Sequence, residues 1–325
     1  MSGDAATLRP DAVAVRSIAD DQDLGARLAA SPVFQHTLLG PVIFAGQGLH
    51  TGRDVRCAVK PAAVDIGIVF VRTDLSGQDN RIPARGEAVT QTRLGTVVGN
   101  AAGATVSTIE HLMAALAALG VDNAVIELDG PEVPVMDGSA EPFVRLLDHV
   151  GLRQQAALRR YIEILEPIEV VDGDRRAGFT PADQFEMSFE IDFDSDAIGR
   201  QRVDLVLDEA AFRSEIANAR TFGFAAEVEA LRRAGLARGG SMDNVVVIEG
   251  DRVLNPEGLR RPDEFVRHKA LDALGDLYLL GAPVVGRFEG VKSGHELNNA
   301  LVRAMLAAPA AWRVRTFAED LAQAV

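Results

Sequence analysis

The sequence predicts an α+β protein of two domains, each of them a two-layer α/β sandwich in which helices cover one face of a sheet. The chain has 325 residues, more than the ~250–300 at which a single hydrophobic core usually stops growing. Strand-like and helix-like segments mix without the strict alternation that a parallel sheet requires. This series of strands and helices also occurs twice, once on each side of a polar stretch near residues 152–160.

The elements of the first half follow from apolar periodicity and from the residues that interrupt it. Runs bounded by Gly, Asp, Asn and Pro predict strands at 55–60, 67–71, 96–98 and 121–128. Apolar residues at helical spacing predict a helix over 107–119, which Gly120 ends, and a second helix over 139–150. Residues 152–160, rich in Arg and Gln, are interpreted as a linker.

The second half repeats the pattern. Strands are predicted at 161–171, 184–193, 201–207, 244–249 and 284–288, and helices at 209–219, 225–236, 263–280 and from about residue 296. The predicted organisation is an N-terminal extension (1–33), domain 1 (34–155), domain 2 (156–312) and a C-terminal tail (313–325).

Composition and charge exclude several classes of protein. The net charge of -14 argues against nucleic acid as a partner, because phosphate neutralisation needs clustered Lys and Arg. No apolar run approaches the ~18–20 residues of a membrane span, and the N-terminus lacks the pattern of a secretory signal. The single Cys57 excludes an internal disulfide and a cysteine metal site. We therefore expect a cytoplasmic protein without a membrane span.

The first candidate site lies on the helix predicted over 263–280. His268, Asp272 and Asp276 are spaced four residues apart and so share one helix face. An imidazole and a carboxylate one turn apart can both bind a single Zn²⁺. A plain surface His–Asp pair is the commoner explanation of this spacing taken alone.

Two other segments hold histidines at the start of a predicted helix. Ser107 and Glu110 have the spacing of a capping box, which explains Glu110 but leaves His111 unexplained. A Glu directly before a ligand His is also an arrangement for a base that acts on metal-bound water. His295 follows a Lys-Ser-Gly turn, and a plain surface turn is the alternative there.

Taken together, a series of motifs resembles one family, that of the UDP-3-O-acyl-N-acetylglucosamine deacetylases of lipid A biosynthesis in Gram-negative bacteria. The motifs are GLHTG at 48–52, STIEHL at 107–112, PVMDGSA at 134–140, ARTFGF at 219–224, VRHKALDALGD at 266–276 and KSGHELNN at 292–299. They occur in the family's order and cover about residues 34–312. The resemblance implies two similar sandwich domains that face each other, each with a small insertion. The second insertion, about 222–250, would build a tunnel for the acyl chain.

The resemblance also implies roles for individual residues. His111, His268 and Asp272 would bind Zn²⁺ and leave a fourth position for water. Glu110 would be the general base. The protonated partner would be His295, held by Asp276, and the Thr221 hydroxyl would donate to the tetrahedral oxyanion.

The substrate implied is an acylated UDP-N-acetylglucosamine, bound by a chain that we expect to be monomeric. Lys269 and Lys292 would lie near the diphosphate, Phe193 under the uracil ring, and Phe222 in the acyl tunnel. One departure concerns the loop at 92–96, where Gly95 and its neighbours lack a cysteine that some members carry beside the site.

Two other functions use the same ligands. Two His and one carboxylate also form the iron site of non-haem Fe(II) oxygenases, which have no use for Glu110 and His295 as an acid–base pair. A non-enzymatic UDP-sugar-binding protein with a structural zinc is the other alternative, although structural zinc usually has four protein ligands.

Overall fold

The structure is a computed structural model that describes residues 33–317. The predicted N-terminal extension, apart from Val33, and residues 318–325 of the predicted tail lie outside the described residues. Among the described helices, none combines the length and the apolar character needed to cross a membrane.

The first half of the described chain is mostly strands with two helices. Its elements are β1 (Phe34–Leu38), β2 (Val42–Gln47), β3 (Asp54–Pro61), β4 (Ile68–Arg72), β5 (Arg81–Pro83), β6 (Val89–Gln91), β7 (Val97–Gly99), β8 (Thr105–Val106), α1 (Glu110–Ala118), β9 (Ala124–Leu128), α2 (Glu141–Val150) and β10 (Leu152–Leu158).

The second half has the longer helices. Its elements are β11 (Tyr161–Ile164), β12 (Ile168–Asp172), β13 (Arg175–Thr180), β14 (Phe185–Asp192), β15 (Arg200–Val206), α3 (Glu209–Ala211), a π-helical turn (Phe212–Ile216), β16 (Phe222–Phe224), α4 (Ala225–Arg233), β17 (Val246–Glu249), β18 (Arg252–Val253), α5 (Glu264–Leu277), β19 (Val284–Val291), α6 (His295–Ala307) and β20 (Trp312–Arg315).

Each half is built on one mixed sheet. In the first, the strand order is β2-β3-β9-β4-β5, with β4 parallel to β9 and the other pairs antiparallel. The second contains seven strands, in which β19 runs parallel to β14 and β11 and antiparallel to β13. Alternate residues of β3, namely Val55, Cys57 and Val59, are buried, as expected of a sheet with one face on the core.

Helices cover one face of each sheet and meet each other. In the first half, α2 packs on β2, where the Phe143 ring meets Phe44 edge-on at 5.5 Å. In the second half, α5 packs on β14 and β15, and α6 packs on β12 and β13. Helices α1 and α5 pack directly together. The predicted α+β class is confirmed, and the contact between α1 and α5 sets the positions of the functional groups.

The α1–α5 contact is close because Gly275 lies at the crossing. A Cβ added there would lie 2.0 Å from the Glu110 carbonyl oxygen, so only glycine fits. The next residues on either side of that contact, His111 and Asp276, are both buried. The missing side chain therefore lets the helix that begins at Glu110 approach the helix that carries Asp272.

The predicted linker at 152–160 is wrong. Leu152–Leu158 is a strand that pairs antiparallel with Phe34–Leu38, across more than a hundred residues of sequence. None of its residues is fully buried, and the adjacent Arg153 and Gln154 are both exposed, so it lacks the alternation that marks a strand in sequence. Each strand of this pair finds its backbone hydrogen-bond partners only in the other. The residue pattern of a single segment does not reveal such a distant partner.

Two further segments differ from the expectation. The helix predicted at 209–219 is a short turn, Glu209–Ala211, that continues into a π-helical turn, Phe212–Ile216. Residues 313–315 of the predicted tail lie in β20, which pairs with β11. Contacts group the described chain from Val33 onward into one unit, and the domain boundary at 155/156 stays a prediction.

Candidate metal and catalytic site

Helix α1 begins at Glu110, three residues later than expected, and the predicted capping box is wrong. The Ser107 hydroxyl donates to the Pro131 carbonyl at 3.1 Å instead of capping the helix. Thr108 adopts a left-handed φ of 55°, so the chain turns between Ser107 and the helix start. Glu110 accepts from the backbone N–H of Thr96 at 3.0 Å, which leaves its carboxylate directed away from its own helix end.

The three predicted metal ligands lie together and are buried. His111 is in the first turn of α1, and His268 and Asp272 face it from α5. Their ligand atoms all lie within 4.8 Å of one another. Asp272 Oδ1 is 3.5 Å from His111 Nε2 and 3.3 Å from His268 Nε2. A tetrahedral ion with bonds of ~2.0–2.2 Å separates its ligand atoms by about 3.4 Å, so the residues fit zinc.

The hydrogen bonding of this cluster also fits a cation. Asp272 Oδ1 is buried without a hydrogen-bond partner among the described residues, a costly state for a carboxylate oxygen that faces no cation. His268 Nδ1 lies 3.0 Å from the Ala219 carbonyl, which only accepts. Nδ1 must therefore carry the proton, and the lone pair of Nε2 faces the other two ligands.

The protonation states of the ligands are those that bind a metal. Burial lowers the pKa of His268 to about 4, although Asp272 opposes the shift, so the ring is neutral at pH 7. Burial alone would raise the pKa of Asp272, but His268 and Lys269 outweigh it and hold that pKa well below its usual value. A neutral imidazole beside an ionised carboxylate is ready to bind a divalent ion.

Glu110 and His295 lie beside this cluster. His295 Nε2 is 3.9 Å from Glu110 Oε1 and 3.9 Å from Asp272 Oδ2. Burial would lower the pKa of His295, but the Asp276 carboxylate, 2.9 Å from Nδ1, raises it to about 9. Burial raises the pKa of Glu110 against the opposing charges of His295 and His111. The arrangement pairs a buried carboxylate with an imidazole that holds a proton at neutral pH.

Thr221 lies on a segment that is fixed to the site through its backbone. Its N–H donates to the Gly138 carbonyl at 2.8 Å. Two residues earlier, the Ala219 carbonyl accepts a hydrogen bond from the His268 ring. Asp137 accepts from the backbone and hydroxyl of Ser139 and so forms a turn. The PVMDGSA motif thus supports the Thr221 segment.

The predicted substrate-binding residues are placed differently from one another. Lys269 Nζ donates to Asp272 Oδ2 at 2.7 Å, which puts it beside the ligand cluster. By contrast, Lys292 Nζ is ion-paired with Asp174 at 2.9 Å and Asp192 at 3.0 Å, just beyond the end of β19.

The Phe222 ring packs against one of the candidate metal ligands. Its ring centroid is 6.2 Å from that of His268 and 5.0 Å from that of Phe265. Phe193 packs edge-on against Phe222 at 5.6 Å, one ring further away. The two predicted binding residues therefore belong to one aromatic row that ends at a metal ligand.

Sequence reasoning missed the residues that hold Glu110 and Asp276 in place. Thr96 contacts both Glu110 and Asp276, and Asn298 donates to Asp276 Oδ2 at 2.9 Å. Asn298 lies inside the KSGHELNN motif, which was a signal for it. Thr96 was predicted as the first residue of a strand, although it closes the loop at 92–96 that the resemblance places beside the site.

Glu132 was also missed, and it explains the GLHTG motif. This fully buried carboxylate accepts from the backbone N–H groups of His50 and Thr51, each at 2.8 Å, and from the hydroxyls of Thr51 and Thr108. His50 in turn places Nε2 3.0 Å from the Leu94 carbonyl. The motif therefore fixes the loops that precede Thr96 and Glu110.

Replacing Glu132 with Gln is expected to lower the free energy of unfolding by about 2 kcal/mol. The amide NH₂ would face the donors of the GLHTG loop, and the charge that strengthens their hydrogen bonds would be lost. Urea denaturation measures the change. The control is Glu127→Gln on β9, whose partly exposed carboxylate pairs with Lys60 and should matter by less than ~1 kcal/mol. Equal stability of the two variants would contradict the role given to Glu132.

Comparisons with known proteins agree on one family. The model of the family described as UDP-3-O-acyl N-acetylglycosamine deacetylase matches residues 35–307. A protein of Phenylobacterium zucineum (strain HLK1) named UDP-3-O-acyl-N-acetylglucosamine deacetylase is 72% identical over 293 residues, which cover 90% of this chain and 100% of that protein. Proteins of the same name from Shewanella frigidimarina (strain NCIMB 400) and Shewanella piezotolerans (strain WP3 / JCM 13877) are 50% and 51% identical, each over 89% of this chain and 94% of their own length.

Proposed function

The chain belongs to the UDP-3-O-acyl-N-acetylglucosamine deacetylase family, and we propose that it hydrolyses the N-acetyl group of UDP-3-O-(3-hydroxyacyl)-N-acetylglucosamine and releases acetate. In a Gram-negative cell this would be the committed step of lipid A biosynthesis, in the cytoplasm. The observation that carries the proposal is the buried His111–His268–Asp272 cluster, with Glu110 and His295 beside it.

The metal proposed for this cluster is Zn²⁺. Its support is the spacing of the ligand atoms and the unpartnered Oδ1 of Asp272. Three protein ligands of this kind are typical of catalytic rather than structural zinc sites. A zinc ion bound there would supply Lewis acidity, which activates water and polarises the amide carbonyl.

Glu110 and His295 would divide the proton transfers between them. Glu110 accepts a proton from the attacking water, for which a buried carboxylate of raised pKa is suited. His295 gives a proton to the leaving nitrogen, since its pKa of about 9 keeps it protonated at neutral pH. Asp276 holds Nδ1–H and so directs Nε2–H towards the reacting group. Thr221 would donate its hydroxyl to the oxyanion.

The substrate contacts proposed from the sequence require both lysines to give up their present ion pairs. Lys269 would leave Asp272 to meet the diphosphate, and Lys292 would exchange Asp174 and Asp192 for the same group. Phe193 would stack on uracil, and Phe222 would line the acyl tunnel built by about 222–250. An apolar tunnel suits an acyl chain because each buried CH₂ contributes ~0.8 kcal/mol.

The acid–base pair favours hydrolysis over the oxygen chemistry of a 2-His-1-carboxylate iron enzyme. Glu110 is buried and the His295 side chain is 11% exposed, and both lie beside the ligands, where an amide hydrolase needs one proton acceptor and one donor. An Fe(II) oxygenase would instead keep open positions for O₂ and has no step for such a pair.

Chelation is expected to abolish acetate release from UDP-3-O-(3-hydroxyacyl)-N-acetylglucosamine, and added zinc should restore it, under anaerobic conditions as well as in air. The zinc affinity of His111→Ala should be at least ~10-fold lower than that of the wild type, because one of three ligands is lost. The matched control is His149→Ala, which changes an exposed histidine and should leave the metal bound. Activity that depends on O₂ and Fe²⁺ would contradict the proposal.

A further inference from the structure

Thr96 lies between the two groups to which the proton transfers are assigned. Its side chain is fully buried. Its backbone N–H donates to Glu110 Oε2 at 3.0 Å, and its hydroxyl donates to Asp276 Oδ1 in a short hydrogen bond. One residue therefore contacts both the carboxylate of Glu110 and the carboxylate that holds His295.

The Thr96 hydroxyl completes the hydrogen bonding of Asp276. Oδ2 of this fully buried carboxylate accepts from Asn298 Nδ2 at 2.9 Å and meets His295 Nδ1 at 2.9 Å. With Thr96 on Oδ1, both oxygens are occupied, and the plane of the carboxylate is fixed. Without the hydroxyl, Oδ1 would lose a charge-assisted bond in a site that water does not reach.

The neighbouring Gly95 allows the segment that leads into β7 to approach Glu110. A Cβ at residue 95 would lie 2.9 Å from Glu110 Oε1, too close for a real contact. Glycine there leaves this oxygen free on the side towards His295, while Thr96 binds the other oxygen. The Gly95–Thr96 pair thus sets which carboxylate oxygen of Glu110 is held and which is available.

We propose that Thr96 is a positioning residue that fixes the Asp276–His295 pair relative to Glu110. The inference rests on the proposed function, in which these groups move the protons. The hydroxyl acts on His295 chiefly through Asp276, and its oxygen also lies 3.4 Å from His295 Nδ1. The backbone N–H acts on Glu110 directly. Because the N–H survives every substitution except proline, the hydroxyl is the part that mutation can isolate.

Thr96→Val tests the hydroxyl because the variant keeps the volume and branching of threonine. Its kcat for acetate release should fall by about 10-fold or more, the effect of losing one hydrogen bond to a charged group. KM should stay within about twofold and zinc content should be unchanged, because neither substrate nor metal is contacted. Thr96→Ser restores the donor and should recover most of the lost rate. The matched control is Thr90→Val, an exposed threonine on β6, the strand that pairs with β7 just after Thr96.

A second readout does not depend on turnover. The ring Nδ1–H of His295, assigned by its loss in His295→Ala, should give a slowly exchanging proton resonance in the wild type. Thr96→Val should shift or broaden that signal, because its carboxylate acceptor is no longer fixed, and Thr96→Ser should retain it.

The outcomes separate this inference from the proposed function. A signal that shifts in the Val variant and not in the Ser variant supports the positioning role, even if the wild type releases no acetate and the proposed function fails. An unchanged kcat together with an unchanged His295 signal overturns it. A fall in kcat matched by loss of zinc or of thermal stability, without rescue by Ser, also overturns it in favour of a purely structural role.

Discussion

Glu110→Gln is expected to lower kcat for acetate release by about 10²–10⁴-fold, the usual contribution of a positioned general base. The amide keeps the volume of the carboxylate and retains an oxygen that can accept from Thr96 N–H. It removes only the ability to take a proton from water. Helix α1 and the His111 ligand next to Glu110 should therefore stay in place.

Steady-state kinetics, zinc analysis and thermal unfolding of the same preparation decide the role of Glu110. Zinc content and melting temperature should match those of the wild type, since no ligand is changed. The matched control is Glu127→Gln, at the surface of β9, which should retain full activity. If Glu110→Gln kept wild-type kcat, another group would have to be the base.

Gly275→Ala is expected to reduce both stability and turnover, because the new Cβ would meet the Glu110 backbone at the α1–α5 crossing. Overpacking of this kind costs about 1–3 kcal/mol. The helices must separate to relieve the contact, which moves Glu110 and His111 away from Asp272. A displacement of ~1 Å in such a site costs about 10²-fold in rate.

The sign of the stability change makes this prediction specific. Glycine in a helix interior is otherwise less stable than alanine by ~1 kcal/mol, so an uncrowded site would gain stability from the change. Urea denaturation measures that sign, and kcat/KM measures the displacement. Gly223→Ala is the control for stability, because a Cβ there meets nothing within 4 Å. A stabilised and fully active Gly275→Ala protein would contradict the close crossing.

The sequence alone was enough for the α+β class and for much of the helical and strand content. Periodicity marks one buried face, and it placed the strand observed as Phe185–Asp192 and the helix observed as Glu264–Leu277 close to their true bounds. It failed where a segment depends on a distant partner. The strand Leu152–Leu158 was taken for a linker because its pairing with Phe34–Leu38 leaves no local mark.

The site shows the same division. Sequence spacing put His268 and Asp272 on one helix face, and the motifs together identified the family that the comparisons confirm. The spacing of Ser107 and Glu110 taken alone predicted a capping box, whereas in the tertiary structure the Glu110 carboxylate accepts from the Thr96 N–H. Hydrogen-bond partners distant in sequence decide such orientations, and no periodicity encodes them.

What the sequence determined by itself was therefore the set of chemical groups and their local faces: two imidazoles and a carboxylate at the candidate metal site, with a second carboxylate and imidazole in neighbouring motifs. What only the tertiary structure decided was their convergence. His111 reaches His268 and Asp272 because α1 and α5 cross at a residue without a side chain, and Thr96 joins Glu110 to Asp276 from a third segment. The reason is physical: local pattern fixes which side of an element is buried, but the packing of elements far apart in sequence fixes the distances on which binding and proton transfer depend.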